Sequence, residues 1–202
     1  MFNDFIQKVQ RRPIDFMFIG TILFFVVSLI NISFAWFGMI CMVTPFFMAF
    51  KTNKNQWCGK YCPRASFFVK IMSRVSLKRP IPNVLKSPKA KRYVITFFCL
   101  NLIMVSLSTI MVANGRVLPL DQVRFLMFFT VPFQLPQLLD FTAPAVFVHL
   151  GYRIFSIMFS STLIGLILSV VYMPRTWCSI CPVQTLITDL VKNNQKNGES
   201  YT

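Results

Sequence analysis

The chain has 202 residues, 55% hydrophobic and 13% charged, and its 21 Lys and Arg against 6 Asp and Glu give a formal charge of +15. Such usage, with long apolar runs, excludes an ordinary water-soluble globule and defines an all-α integral membrane protein. The excess positive charge flanks the apolar runs, which argues against a nucleic-acid partner.

In chain order, Lys8, Arg11 and Arg12 precede the first run, and Pro13 stands where a first-turn proline forfeits no hydrogen bond. Ile14 to Phe50 is long enough for two short spans parted at Asn31-Ile32-Ser33, since about 20 apolar residues cross the hydrocarbon and shorter spans are tolerated. Lys51 to Arg92 then carries twelve Lys and Arg and no acid. Within it, Phe67, Phe68, Ile71, Met72 and Val75 share one side of a helix expected at the membrane surface. A third span runs from Tyr93 to Ala113 and stops at Asn114-Gly115. The next stretch is apolar but broken by Pro119, Pro132, Pro136 and Pro144, each removing a backbone hydrogen bond that lipid cannot replace, so it reads as an interfacial or re-entrant segment. A fourth span covers about Leu150 to Met173, closed by Pro174. One-sided Lys and Arg place the loop and both termini in the cytoplasm, the chain in the cytoplasmic (inner) membrane as a multi-pass protein, and Arg116 to Pro144 outside.

Two short motifs punctuate this plan: Trp57-Cys58-Gly-Lys-Tyr-Cys62-Pro63 and Trp177-Cys178-Ser-Ile-Cys181-Pro182. Each follows the second helix of an expected hairpin, so one membrane domain over 1–202 reads as a parallel pseudo-repeat. Repeat A covers about 13–63, the basic loop 51–92, repeat B about 93–182, and a short cytoplasmic tail 183–202. A pseudo-two-fold axis along the membrane normal would bring both pairs to the same face. Four converging cysteines in a reducing compartment are first of all a metal site. Four is the number that [2Fe–2S] and [4Fe–4S] centres take, and zinc accepts the same ligands. Iron is preferred because a redox centre at a membrane surface has an evident use. The metal set is thus Cys58, Cys62, Cys178 and Cys181, flanked by Trp57, Pro63, Trp177 and Pro182. Cys41 and Cys99, inside the second and third spans, read as small packing residues.

His149, the single histidine, stands near the outer end of the fourth span beside Asp140, Tyr152 and Arg153, a candidate quinone or proton site. No phosphate-binding glycine loop, acid pair or nucleophile–base set is present, so no catalytic residue is assigned.

With these motifs and four helices the chain resembles the membrane polyferredoxin-like iron–sulfur proteins, the electron-transfer subunits of the nitrate-reductase quinol dehydrogenase and nitrous-oxide reductase regulator type. The resemblance implies electron transfer through the membrane module. The soluble ferredoxin domain that follows in that family is not within these 202 residues, and the second motif is one residue shorter than the family's Cys-x3-Cys.

The expectation is an iron–sulfur electron-transfer subunit of a membrane redox complex, with [4Fe–4S] favoured over [2Fe–2S]. A membrane thiol–disulfide oxidoreductase resembling the quinone-linked four-helix disulfide-forming enzymes and a zinc-stapled assembly protein are the alternatives. Its expected partners are membrane lipid and other subunits of the complex. The basic loop suits anionic lipid, and it also suits an acidic carrier such as ferredoxin or flavodoxin.

Overall fold

A computed structural model describes residues 16–126, 128–131 and 144–199. The expected helix start at Pro13, the basic N-terminus, Pro132, Pro136 and Asp140 lie outside the described residues. Among the described residues, eight α-helices carry the fold: α1 (Met17–Ile30), α2 (Phe37–Thr52), α3 (Pro63–Met72), α4 (Asn83–Lys86), α5 (Pro88–Ala113), α6 (Ala145–Val171), α7 (Thr176–Ile180) and α8 (Pro182–Glu199). A two-stranded antiparallel hairpin, β1 (Arg124–Phe125) and β2 (Phe129–Thr130), lies between α5 and α6, with Arg124 opposite Thr130 and Phe125 opposite Phe129.

Among the described residues, three helical stretches are long and apolar enough to cross a membrane: Ile32–Thr52, Pro88–Ala113 and Ala145–Val171. They mark the chain as membrane-associated. At about 1.5 Å per residue, the 26 and 27 residues of α5 and α6 extend some 40 Å each. Helix α1 has 14 residues and is the shorter apolar helix of the group.

Local chemistry sets the boundaries. Asn31 breaks the first apolar run in an extended conformation, its Oδ1 accepting the Ser33 N–H at 2.8 Å, and a 3-10 turn (Ile32–Trp36) then leads directly into α2. Asn53, left-handed at φ 47°, closes α2 by donating its N–H to Ala49 O. Ser87 caps α5 by accepting the Ala90 N–H at 3.2 Å, with Pro88 at the first helical position, so the third span starts five residues before Tyr93. Gly115, at φ 67°, follows the Asn114 cap at the other end, as expected.

Packing departs from two adjacent hairpins. Helix α1 lies chiefly along α3, with Gly20 against Pro63 and Lys70 Nζ 4.6 Å from the Phe18 ring centroid. Helix α6 is the centre of the molecule. It meets the 3-10 turn so closely that a Cβ on Gly151 would stand 2.7 Å from Ile32 O, and there Ile32, Ala35, Val123, Tyr152 and Phe155 form one buried cluster with Phe24 and Phe25. A second cluster of Phe68, Trp177 and Ile180 closes over Gly165. Phe68 is fully buried, so α3 is a bundle element rather than the surface helix expected of its sequence. The chain beyond it is pinned to the end of α6: Leu77 N donates to Val170 O at 2.8 Å, and Ser76 Oγ to Tyr172 O.

The described part of the proline-broken segment enters beside α6. The N–H groups of Arg124 and Leu126 donate to Ser156 Oγ (3.1 Å) and Ser160 Oγ (2.9 Å), eleven and fifteen residues into the helix. Serine hydroxyls thus tie two backbone N–H groups of the short hairpin to the helix.

Candidate metal centre

Both cysteine motifs end alike, in a Cys-Pro pair that opens a helix. Trp57–Tyr61 forms one π-helical turn closed by the Cys62 N–H donating to Trp57 O at 2.9 Å. Cys62 is then the extended N-cap of α3, Pro63 occupies the first helical position, and Cys62 O accepts the Ser66 N–H at 3.1 Å. In the second motif the one-turn α7 holds Trp177 and Cys178, Cys181 precedes α8, Pro182 begins it, and Cys181 O accepts the Thr185 N–H at 3.1 Å. Proline at this position loses an N–H that would have no partner inside the helix, and its fixed φ prepares the first turn. The Cys-Pro pair is therefore a helix-start device. It sets the second sulfur of each motif at the positive end of a helix, where a thiolate is favoured.

The two motifs meet. Arg175 Nη2 donates to Cys58 O at 3.3 Å across 117 residues of chain. Burial pushes the Cys58 thiol up, and its neighbours Cys62, Cys181 and Cys178 add to the shift while Arg175 opposes it. Cys178 is pushed up to about 12 by burial and then by Cys62 and Cys181, against Arg175 and Arg64. Cys181 is raised by burial, opposed first by the Gln184 N–H that its sulfur accepts and then by Arg64. All four sulfurs thus lie within one another's field, with two guanidinium groups beside them. All six cysteines are free thiols.

Such a set stays protonated until a cation takes up the charge of the thiolates, which is how metal binding couples to proton release. A single zinc ion needs four ligands at about 2.0–2.3 Å. Among the described residues no three His, Cys, Asp or Glu side chains stand close enough to hold one metal ion. A cluster presents its corners further apart than a single ion does. Four thiols on two short turns, two of them at helix N-termini and two arginines beside them, fit that larger anionic group in donor chemistry and in charge.

Two residues of this neighbourhood escaped the sequence reading. Arg64, directly after Cys62-Pro63, donates from Nη1 to Ser161 Oγ at 2.7 Å and from Nη2 to Met158 Sδ, which holds it under α6. Cys41 lies within electrostatic range of Arg64, Cys62 and Cys181, because the first motif folds back along α2 instead of hanging from its end. The adjacency of Arg64 and Arg175 to the motifs was the signal available. Cys99 is exposed on α5.

His149 is 2% exposed. Its Nδ1 accepts the Leu120 N–H at 3.0 Å, so the proton of the neutral ring sits on Nε2, 3.1 Å from Ser108 Oγ. Both nitrogens are engaged in fastening the chain after α5 between α5 and α6.

Compared with known protein families, characterised proteins and solved structures, the chain matches none.

Proposed function

We propose that the protein is an iron–sulfur electron-transfer subunit of a membrane redox complex, with Cys58, Cys62, Cys178 and Cys181 holding one cluster between them. The observation that carries this reading is the Arg175 to Cys58 O bond, which joins two like-folded Cys-Pro turns from distant parts of the chain. When bound, an iron–sulfur group supplies a one-electron couple whose potential follows its charge, hydrogen bonds and exposure.

The residues of the chain have separate parts in this reading. The four thiols provide the ligands, and the N-termini of α3 and α8 favour Cys62 and Cys181 in their charged forms. Arg64 and Arg175 offset negative charge beside the sulfurs, and Phe68, Trp177 and Ile180 pack against Cys181. In the membrane, α1 joins the three longer apolar stretches as a fourth, shorter span, the two halves repeat one plan, and the basic segment Lys51 to Arg92 faces the cytoplasm, where it meets anionic lipid or an acidic electron carrier.

Iron and acid-labile sulfide analysis of anaerobically purified protein tests the centre. Both present in near-equal amounts support it; zinc with neither makes the site a structural staple. A reporter fused at Ser87 tests orientation. If it reports the outer side, the cysteines lie on an oxidising face, and thiol–disulfide exchange becomes the better reading.

A further inference from the structure

Ser108 near the end of α5 meets His149 near the start of α6, so the two long helices run antiparallel, and the start of α5 lies at the same face as the end of α6. The chain between α3 and α5 crosses that face and is fastened to it. Leu77 N donates to Val170 O in the last turn of α6, and Ser76 Oγ donates to Tyr172 O just beyond. The same Oγ accepts the Lys78 N–H at 3.2 Å in a left-handed turn, with Lys78 at φ 52°. Farther on, Leu85 of α4 packs inward against Phe68, Trp177 and Ile180. Pro80, Pro82 and Pro88 fix φ around these anchors.

The outward side of this segment mixes two kinds of group. Arg74, Lys78, Arg79, Lys86, Lys89 and Arg92 are exposed, and no Asp or Glu lies between Lys51 and Arg92 to offset them. Among them stand Leu77 at 61% exposure, Val84 at 76% and Tyr93 at 77%. Water suits the cations and not the apolar side chains; hydrocarbon suits the reverse. The head-group layer of a bilayer takes both, because the charges stay among the phosphates while apolar groups reach the upper acyl chains. The position agrees, since α5 passes from basic to apolar sequence here, and α6 from apolar to basic.

We propose that segment 74–92 is a docking surface for anionic phospholipid of the adjoining leaflet. The proposal rests on the reading that α5 and α6 cross the bilayer, and it chooses lipid over an acidic carrier; the metal has no part in it. A soluble acidic carrier would pair with the cations and leave Leu77 and Val84 unused. A second copy of the chain presents the same charges and is repelled. Each Lys or Arg near an anionic surface adds to the attraction, and a backbone already pinned has little ordering left to lose on contact.

Tryptophan quenching by chain-brominated lipid, on the full chain in nanodiscs, tests this. Val84→Trp sets a reporter at an exposed position of the patch, and Leu100→Trp sets one halfway along the exposed side of α5. Each is read as the difference from the parent, which carries Trp36, Trp57 and Trp177. In bilayers of phosphatidylglycerol and phosphatidylcholine in equal parts, with one or the other brominated, Val84→Trp should be quenched about twofold more by phosphatidylglycerol. Lys78→Gln, Arg79→Gln, Lys86→Gln and Lys89→Gln combined should return that ratio to one. So should about 1 M salt, where the Debye length is about 3 Å. A ratio that survives the four replacements overturns the proposal. Equal quenching of Val84→Trp by the two lipids overturns it too, and flavodoxin binding that the same replacements abolish would then assign the patch to an acidic protein. Leu100→Trp should be quenched by both lipids in every case; quenching by neither overturns the crossing of α5 and the docking surface with it. Lipid quenching does not depend on iron content, so failure here and absence of a cluster are separate results.

Discussion

Arg175 Nη2 lies 3.3 Å from Cys58 O, so a side chain two residues before Trp177 fixes the backbone of the other motif. A hydrogen bond from a charged donor contributes about 1.5–3 kcal/mol. Arg175→Gln should therefore lower thermal stability and reduce iron retained per chain, whereas Arg175→Lys, which keeps charge but loses the planar fork, should recover part of both. Thermal unfolding with iron analysis on the same samples checks this, and wild-type iron content in Arg175→Gln would contradict the joining role.

Single Ser replacements at Cys58, Cys62, Cys178 and Cys181 should each abolish or strongly alter the same electron paramagnetic resonance signal. Cys99→Ala should leave it intact. Cys41→Ala is the sharper control, because that thiol is in the neighbourhood of Cys62 and Cys181 without belonging to either motif. Its iron content should match the wild type; a loss equal to that of Cys58→Ser would make Cys41 a ligand in place of one of the four. Two signals, each lost with one motif, would instead mean two centres.

Gly151 and Gly165 are tight approaches of α6. A methyl on Gly151 would meet the Ile32 carbonyl oxygen at 2.7 Å, and backbone cannot rotate away. Gly151→Ala should destabilise by about 1–3 kcal/mol, the usual range for overpacking. A methyl on Gly165 would run into Phe68 Cζ, in a ring with no exposed surface to retreat to. Gly165→Ala should shift Phe68 and Trp177 and alter the environment of Cys178, seen as a changed Trp fluorescence spectrum. Gly151→Ala, which instead pushes on the Ile32–Trp36 turn, should leave the iron content per folded chain unchanged.

His149→Ala removes the acceptor of the Leu120 N–H and the partner of Ser108 Oγ in a buried place. A buried polar group left without its partner costs about 1–3 kcal/mol. Stability should fall by that order while iron content per folded chain is unchanged. Loss of iron or of electron transfer at wild-type stability would restore a functional role to the ring.

Helices α2, α5 and α6 were legible because long apolar stretches and their stop signals are local properties of the sequence: Asn31, Asn114-Gly115 and Pro174 all stand at or near ends of elements. The folding of each cysteine motif was half legible. Proline after the second cysteine was visible, and that it starts α3 and α8 from the first helical position was not. The pattern of Val183, Leu186, Ile187, Leu190 and Val191 fits helix α8, a conformation that the sequence reading did not assign, and Ile187 is fully buried. What could not be read was the return of α3 into the bundle. Its Lys70 and Arg64 belong to a basic run that suggests water, and the packing of α1 along it together with Phe68 against Gly165 in α6 overrides that signal.

Arg64 acts on the thiols of Cys178 and Cys181 while its two Nη groups hold Ser161 and Met158 of α6. One guanidinium committed in both directions ties the charge on the sulfurs to the seat of the longest helix: negative charge gained there would draw the arginine off α6, and a displaced α6 would change how readily the sulfurs hold that charge, by the same coupling free energy.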